Sequence, residues 1–244
     1  MGTVIIVQAR MTSTRLPGKI LKKVLGKPLL EFQMERLSRV RRANKIVIAT
    51  TTNATDQPIV DFCMGLGIPT YRGSEQDVLS RYHGAAIAFK ADTIVRITSD
   101  CPLIDPVIVD QVIEHLEAHP ELDYVSNVLE RTYPRGLDCE IFPFKVLDAA
   151  FRNAEALPER EHVTPYVYSQ PNKFKLGGVK YEKDLSHHRW TVDTQEDFNL
   201  IQKMLEALYP TKPGFLLQDC LELLTRHPEW PLINTEIEQK KTFY

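Results

Sequence analysis

The chain has 244 residues, with 30 Lys and Arg against 32 Asp and Glu, so its formal net charge is −2 when the histidines are neutral. This near-neutral balance lacks the basic footprint of a general nucleic-acid binder. No apolar run approaches the ~18 residues that a membrane span needs, and the first residues lack the basic region and apolar core of a signal peptide. We therefore expect neither nucleic acid nor a membrane as a partner.

The cysteines also limit the class of protein. They stand at positions 63, 101, 139 and 220, far apart and without a Cys-x-x-Cys pair. Zinc ribbons and disulfide frameworks need closer, paired spacings. The pattern predicts four unbridged thiols in a reducing compartment, so we expect a cytoplasmic protein.

The first half of the chain alternates between short apolar runs and segments with helical spacing. Residues 4–7 form a continuous β-branched run, which is typical of a strand buried on both faces of a parallel sheet. Further strands are predicted at 45–49, 69–72 and 93–98, and helices at 29–40, 56–66, 78–89 and 106–116. This alternation predicts an α/β fold with a doubly wound, mostly parallel sheet.

The pattern loosens after residue 123. Strands are predicted at 123–128, 174–176 and 190–192, and helices at 146–156 and 196–208. Residues 129–144 interrupt the alternation and end in the apolar stretch 141–144. The charged segment 236–244 is predicted to be a solvated end. No linker divides the chain, so we expect one domain over residues 1–244.

A polar loop directly after the first predicted strand is the first candidate site. Residues 8–19, called here the basic loop, contain three cations, several hydroxyls and Gly18. Cations and backbone amides at the carboxyl end of a strand suit phosphate oxygens. The loop matches neither the Walker A pattern nor Gly-x-Gly-x-x-Gly, so P-loop and dinucleotide-binding folds are disfavoured. A merely solvated basic loop is the alternative.

Three aspartates further along the chain invite comparison. Asp100 follows the 93–98 strand, where a carboxylate can hold Mg²⁺ against phosphates. Asp105 precedes Pro106 and is predicted to cap a helix. Thr194 and Asp197 have capping-box spacing, which leaves Asp193 free to be a second metal ligand.

Three separated motifs resemble one family of enzymes. Residues 9–19 read Ala-Arg-x-x-Ser-x-Arg-Leu-Pro-x-Lys, residues 100–104 read Asp-x-Pro-Leu-Ile, and residues 193–197 read Asp-Thr-x-Glu-Asp. The set is similar to the motifs of the cytidylyltransferases that activate acidic 2-keto sugars, the CMP-sialic acid and CMP-Kdo synthetases. The resemblance spans residues 3–200 and implies a Rossmann-type fold like that of the nucleotide-diphospho-sugar transferases.

Further motifs resemble the subgroup called spore coat polysaccharide biosynthesis protein F. They are Arg-Gly-Ser-Glu-x-Asp-Val-Leu-x-Arg-Tyr at 72–82, Tyr-Pro-Arg-Gly-Leu-Asp at 133–138 and Glu-Arg-Glu-His-Val-Thr-Pro-Tyr at 159–166. CMP-Kdo synthetases differ at 72–82 and in their acceptor-side motifs. The resemblance therefore indicates CTP-dependent nucleotidyl transfer and leaves the sugar open.

The resemblance implies a role for each candidate residue. Those assigned to the nucleotide are Ala9, Arg10, Ser13, Arg15, Lys19, Arg72 and Arg81. Catalysis is assigned to Arg10, Lys19 and Asp100, and Mg²⁺ binding to Asp100 and Asp193. The acceptor sugar is assigned to Arg135, Asp138, His162 and Arg189, with Arg135 as a clamp on a carboxylate.

Alternatives remain for several acceptor residues. Arg135 could equally be a surface arginine in a turn, and His162 could equally be a structural or merely exposed histidine. Because His187 and His188 are adjacent, an extended chain turns them to opposite sides. At most one of the two is expected in the site.

The implied reaction is Mg²⁺-dependent transfer of CMP from CTP to an acidic sugar, with release of pyrophosphate, in surface polysaccharide biosynthesis. A metal-dependent glycosyltransferase is the first alternative, although its usual Asp-x-Asp is replaced here by Thr98-Ser99-Asp100. A non-catalytic nucleotide-binding partner is the second. Related synthetases are dimers, so a homodimer is expected with residues 129–144 as its interface, although 141–144 fits a core equally well.

Overall fold

The structure is a computed structural model that describes residues 2–238. Within them the strands are β1 (Thr3–Gln8), β2 (Lys23–Val24), β3 (Lys27–Pro28), β4 (Lys45–Thr51), β5 (Thr70–Gly73), β6 (Thr93–Thr98), β7 (Tyr124–Ser126), β8 (Glu140–Pro143) and β9 (Leu176–Gly178). The helices are α1 (Leu29–Leu37), α2 (Gln57–Gly65), α3 (Val78–Ala88), α4 (Pro106–Ala118), α5 (Phe144–Asn153), α6 (Leu157–His162), α7 (Pro165–Tyr168), α8 (Gln195–Leu208) and α9 (Leu217–Arg226).

A mostly parallel sheet lies at the centre. Among the described residues it has seven strands in the order β5-β4-β1-β6-β8-β7-β9. Only β8 runs antiparallel to its neighbours in this sheet, β6 and β7. The short strands β2 and β3 form a separate hairpin. The predicted α/β fold with a mostly parallel sheet is confirmed.

Helices cover both faces of this sheet, which explains the continuous apolar run of β1. Successive strand side chains point to opposite faces. Ile5 and Val7 pack with α1, α2 and α4, whereas Val4 and Ile6 pack with α3 and α5. A third apolar cluster forms around α8 and α9 and includes the buried Trp190.

The ends of β1 and β6 determine where a ligand can bind. Their parallel register sets Gln8 opposite Thr98. The basic loop and residues 99–105 therefore leave the sheet side by side at its carboxyl edge. Ligands of open α/β sheets bind beyond this edge.

The structure selects the core alternative for residues 141–144 and differs from the prediction at residues 190–192. Residues 141–144 belong largely to the sheet: Ile141 and Phe142, in β8, are each 1% exposed. Because these side chains lie in the core, they offer no apolar surface to a second chain, and the homodimer stays a prediction. Residues 190–192, predicted as a strand, form none, with a bend at 191; the preceding Arg189 makes an isolated bridge to Arg135.

Other predictions concern the thiols, the membrane and the end of the chain. All four cysteines are buried and unbridged. Within residues 2–238, every helix is too short or too polar to cross a bilayer. The predicted solvated end, 236–244, falls outside the described residues from position 239 onward.

Candidate functional site

A polar cleft of about 240 Å³ opens at the carboxyl edge of the sheet. It collects residues from the basic loop, β6, α3, α6 and the segment before α8. The lining residues are Gln8, Ala9, Arg10, Ser13, Thr14, Arg15, Lys19, Val78, Arg81, Thr98, Ser99, Asp100, Glu161, His162 and Asp193. The cleft thus unites nine of the predicted site residues, whereas Arg72, Arg135, Asp138 and Arg189 do not line it.

The basic loop owes its shape to a turn and to one buried carboxylate. Gly18 has a φ of 68°, a conformation that favours glycine, and its N–H donates to the Met11 carbonyl at 2.9 Å. The N–H of Met11 donates to Asp56 Oδ1 at 2.7 Å. Asp56 is fully buried and also accepts from Thr51 Oγ1 at 2.5 Å. Asp56 therefore anchors the loop, a role that sequence analysis missed.

Lys19 lies between the two predicted metal ligands. Its Nζ donates to Asp100 Oδ2 at 3.0 Å and to Asp193 Oδ1 at 2.7 Å. Burial alone would lower the pKa of Lys19, but the charges of Asp100 and Asp193 outweigh it and raise that pKa. Burial would raise the pKa of Asp100, yet Lys19 and a hydrogen bond from Thr98 lower it. Lys19 and Asp100 are consequently both ionised at neutral pH.

Asp193 is surrounded by further cations. Its Oδ2 lies 2.8 Å from Arg15 Nη2 and 2.8 Å from Arg189 Nη2. Two carboxylates that lie close together repel each other unless positive charge lies between them. In the structure the side chains of Lys19, Arg15 and Arg189 supply the compensating positive charge.

Backbone contacts bring Asp193 to Asp100 without a strand. The N–H of Val192 donates to the carbonyl of Asp100 at 2.8 Å, and Thr191 Oγ1 donates to the same carbonyl at 3.2 Å. The two carboxylates are therefore brought together by a loop that is hydrogen-bonded to the segment after β6, and not by the strand predicted at 190–192.

The remaining arginines of the nucleotide set differ sharply in their surroundings. Arg10 is half exposed and lies 3.8 Å from Glu75. Arg81 is 2% exposed and donates from Nη1 to the Ser74 carbonyl at 2.6 Å, while its Nε has no partner. Within residues 2–238 no carboxylate lies within ion-pair distance of Arg81, and burial lowers its pKa. Its guanidinium is thus a buried charge at the cleft, on which Asp56 and Glu75 act only from beyond ion-pair distance.

Arg72 is engaged away from the cleft. Its guanidinium donates to the carbonyls of Thr51 and Asn53 at 2.9 and 3.0 Å and to Gln57 Oε1 at 2.8 Å. These bonds fasten the end of β4 to β5. The contacts point to a structural role for Arg72 in place of the expected contact with nucleotide.

The acceptor candidates separate into three places. Arg135 and Arg189 line a second cavity of about 180 Å³ that also contains His187 and His188. Burial lowers the pKa of His188 to about 4, so its imidazole is neutral at pH 7. Asp138 is outside both cavities, with its carboxylate paired to Arg131 through two hydrogen bonds of 2.7 and 2.8 Å.

His162 alone of the acceptor candidates faces the polar cleft, beside Glu161. Burial lowers the pKa of His162, so it too is neutral at pH 7. The next residue, Val163, has a φ of 73°, which is strained for a β-branched side chain. Thr164 fixes this turn by donating to the buried Glu140 at 2.6 Å. Glu161 lies within the 159–166 motif, but sequence analysis assigned only its neighbour His162 to the site.

The carboxylates of the cleft can be compared with the ligands that a divalent metal ion requires. Within residues 2–238 no group of three or more His, Cys, Asp or Glu side chains is arranged to hold a metal ion. Mg²⁺ on a phosphate, however, needs only one or two carboxylates, with phosphate and water oxygens completing its shell. Asp100 and Asp193 fit that requirement.

Comparison with known proteins gives concordant matches. A family model described as cytidylyltransferase matches residues 4–244. The spore coat polysaccharide biosynthesis protein SpsF of Bacillus subtilis is 30% identical over 92% of this chain and 94% of that protein. A 3-deoxy-manno-octulosonate cytidylyltransferase of Chlamydia trachomatis is 28% identical over 70% of this chain and 66% of that protein. The solved structure of a cytidylyltransferase from Leptospira borgpetersenii has a TM-score of 0.90 at 33% identity, covering 100% of this chain and 99% of that one.

Proposed function

The chain belongs to the cytidylyltransferase family, and from this premise we propose that it transfers CMP from CTP to a hydroxyl group of an acidic 2-keto sugar. The α-phosphorus of CTP gains a bond to the sugar oxygen and loses its bond to pyrophosphate, and the hydroxyl proton is released. The surface-polysaccharide context is supported by the relative named for the spore coat. The acidic sugar class is supported by the relative that acts on 3-deoxy-manno-octulosonate.

One observation carries the proposal: Lys19 lies between Asp100 and Asp193 at the carboxyl edge of the sheet. This arrangement gathers acidic and basic groups where a triphosphate would lie. Arg15 and Lys19 are held by carboxylates in the free protein, and the triphosphate would compete for both cations. Nucleotidyl transfer depends on positioning of the reactants and on neutralisation of phosphate charge more than on a covalent intermediate.

Asp100 and Asp193 would hold Mg²⁺. The bound ion would neutralise phosphate charge and polarise the α-phosphate. Lys19 and Arg10 would stabilise the leaving pyrophosphate, and Ser13 would donate to a phosphate oxygen. Arg81, which lacks a carboxylate partner, would bind an acceptor group of the nucleotide.

The acceptor sugar would lie against His162. As a neutral imidazole, His162 can accept a hydrogen bond from a sugar hydroxyl. Arg135 and Asp138 lie outside the cleft, and we assign Arg189 to holding Asp193. Among residues 2–238 no contact favours the glycosyltransferase alternative, since the second carboxylate beside Asp100 is Asp193 and not a neighbour in an Asp-x-Asp pair.

The test is pyrophosphate release from CTP and Mg²⁺ with a panel of 2-keto sugar acids. Asp100→Asn and Asp193→Asn should each lose most turnover, whereas Asp61→Asn, on the exposed side of α2, should keep it. Either cleft variant with wild-type turnover would exclude that residue as a metal ligand. Release of a nucleoside diphosphate from a sugar nucleotide, without pyrophosphate from CTP, would overturn the proposed reaction in favour of glycosyl transfer.

A further inference from the structure

A fully buried carboxylate, Asp197, lies behind the proposed metal ligand Asp193. Its Oδ1 accepts from Arg189 Nε at 2.9 Å and from Asn234 Nδ2 at 2.8 Å. Its Oδ2 accepts from Arg189 Nη2 at 3.1 Å and from the N–H groups of Asp193 and Thr194 at 3.0 and 3.1 Å. Asp197 is 0% exposed, so water does not weaken these bonds.

The helix cap accounts for only part of this arrangement. Asp197 and Thr194 form the predicted capping box at the start of α8, in which each side chain accepts from the other's N–H. A cap requires nothing from Arg189, Asn234 or the N–H of Asp193. Those groups connect Asp197 to the main chain of Asp193 and, through Arg189, to its side chain as well.

Asn234 extends the arrangement to the C-terminal part of the chain. It follows the 3₁₀ turn Trp230–Ile233 and is 4% exposed. Its Nδ2 donates both to Asp197 Oδ1 and to the carbonyl of Arg189, the latter at 2.9 Å. One amide therefore fixes both the carboxylate that supports Asp193 and the backbone of the arginine that contacts it.

We infer that Asp197 and Asn234 are positioning residues that hold Asp193 and share the charge of Arg189, so that Asp193 stays available to a divalent cation. The inference rests on the proposed function. The guanidinium of Arg189 is divided between the carboxylates of Asp193 and Asp197. Without the Asp197 carboxylate, Arg189 would be able to interact more strongly with Asp193 and to compete with the cation for its oxygens. Mutation of a residue that hydrogen-bonds to a metal ligand typically lowers metal affinity or activity by about 10–100-fold.

The experiment measures metal binding apart from turnover. Mn²⁺ binding is followed by electron paramagnetic resonance in the presence of CTP, without sugar, for the wild-type protein, Asp197→Asn and Asn234→Ala. We expect both variants to bind Mn²⁺ at least tenfold more weakly, and the Mg²⁺ concentration for half-maximal turnover to rise in parallel. CTP affinity without metal should change less than threefold. Asn234→Ala removes only two hydrogen bonds, so it tests the inference even if Asp197→Asn fails to fold.

Thr194→Ala is the matched control. It weakens the cap of the same helix, one residue from Asp193, but removes no contact with Arg189 or Asn234. Its melting temperature should fall while its Mn²⁺ affinity stays at the wild-type value. Wild-type Mn²⁺ affinity in Asn234→Ala, or an equal loss in Thr194→Ala, would overturn the inference. Failure of the proposed reaction would give a different result. Mn²⁺ and CTP would bind tightly, but no sugar acid would cause release of pyrophosphate from CTP.

Discussion

Replacing Lys19 by Met removes the positive charge between Asp100 and Asp193 while nearly preserving side-chain length. The Lys19 side chain is 10% exposed and those of its partners are 23% and 15% exposed, so the interaction is only weakly screened by water. Breaking a buried ion pair typically costs about 3–5 kcal/mol. Arg15 and Arg189 still compensate Asp193, which favours the lower end, about 3 kcal/mol. For a chain of this length that is a fall in melting temperature of roughly 6–12 °C.

The pH dependence of this loss has a definite sign. The pKa of Asp100 is lowered in the folded protein, so its stabilisation is present above its ordinary value of 3.8 and is lost as pH falls through the lowered value. The pKa of Lys19 is raised, so its stabilisation is present below 10.5 and is lost as pH rises through the raised value. The difference between wild type and Lys19→Met should therefore be largest near neutral pH and shrink toward both extremes.

Thermal unfolding and pyrophosphate release together test this prediction. Turnover should fall on the order of 10²–10³-fold, the scale of losing one electrostatic contact in the transition state. Added Mg²⁺ should raise the melting temperature of Lys19→Met more than that of the wild type, because the variant leaves the carboxylates without their ammonium group. Lys23→Met, at an exposed position in β2, is the control and should resemble the wild type. Unchanged CTP affinity, rate and melting temperature in Lys19→Met would refute the reasoning.

Four other predictions follow from the contacts described. Arg81→Met should weaken CTP binding while leaving the melting temperature unchanged or higher, because it removes a buried charge without a carboxylate partner; a large loss of stability by calorimetry would contradict this. The pKa of His188 is lowered to about 4, so the folded state loses stability as pH falls from 6.5 toward 4, and melting curves of His188→Gln should show less of this loss. Gly136→Ala should reduce both stability and turnover, because the added Cβ would lie 2.6 Å from the backbone of Trp190 and Thr191. A normal melting temperature and normal turnover would show that this segment shifts freely. Sedimentation at micromolar concentration should show a homodimer, and a monomer would remove that expectation without affecting the catalytic one.

Local sequence patterns were sufficient to predict strands β1, β4 and β6 and to place the basic loop and Asp100 at one edge of the sheet. Continuous β-branched runs mark β1, β4 and β6 because strands covered on both faces have no polar side. The basic loop and Asp100 were identified because each directly follows such a strand, where parallel topology collects side chains at one edge. The helix caps at Asp105 and Thr194 were predicted because capping depends on neighbours within a few residues, and both are present. Helix α9 carried a readable signal that was overlooked, since Leu217, Cys220 and Leu224 have helical spacing.

Contacts between distant segments decided the rest. Spacing alone left residues 141–144 open between interface and core, and pairing with β6 and β7 makes them part of the sheet. Spacing also gave no means of telling that Arg189 turns toward Asp193 and Asp197 while Arg81 stays without a carboxylate. Asn234 lies 41 positions beyond Asp193 (234 − 193), and no local pattern connects the two. A side chain's partner depends on which segments the fold brings within hydrogen-bond distance, and the periodicity of a single segment carries no information about that distance.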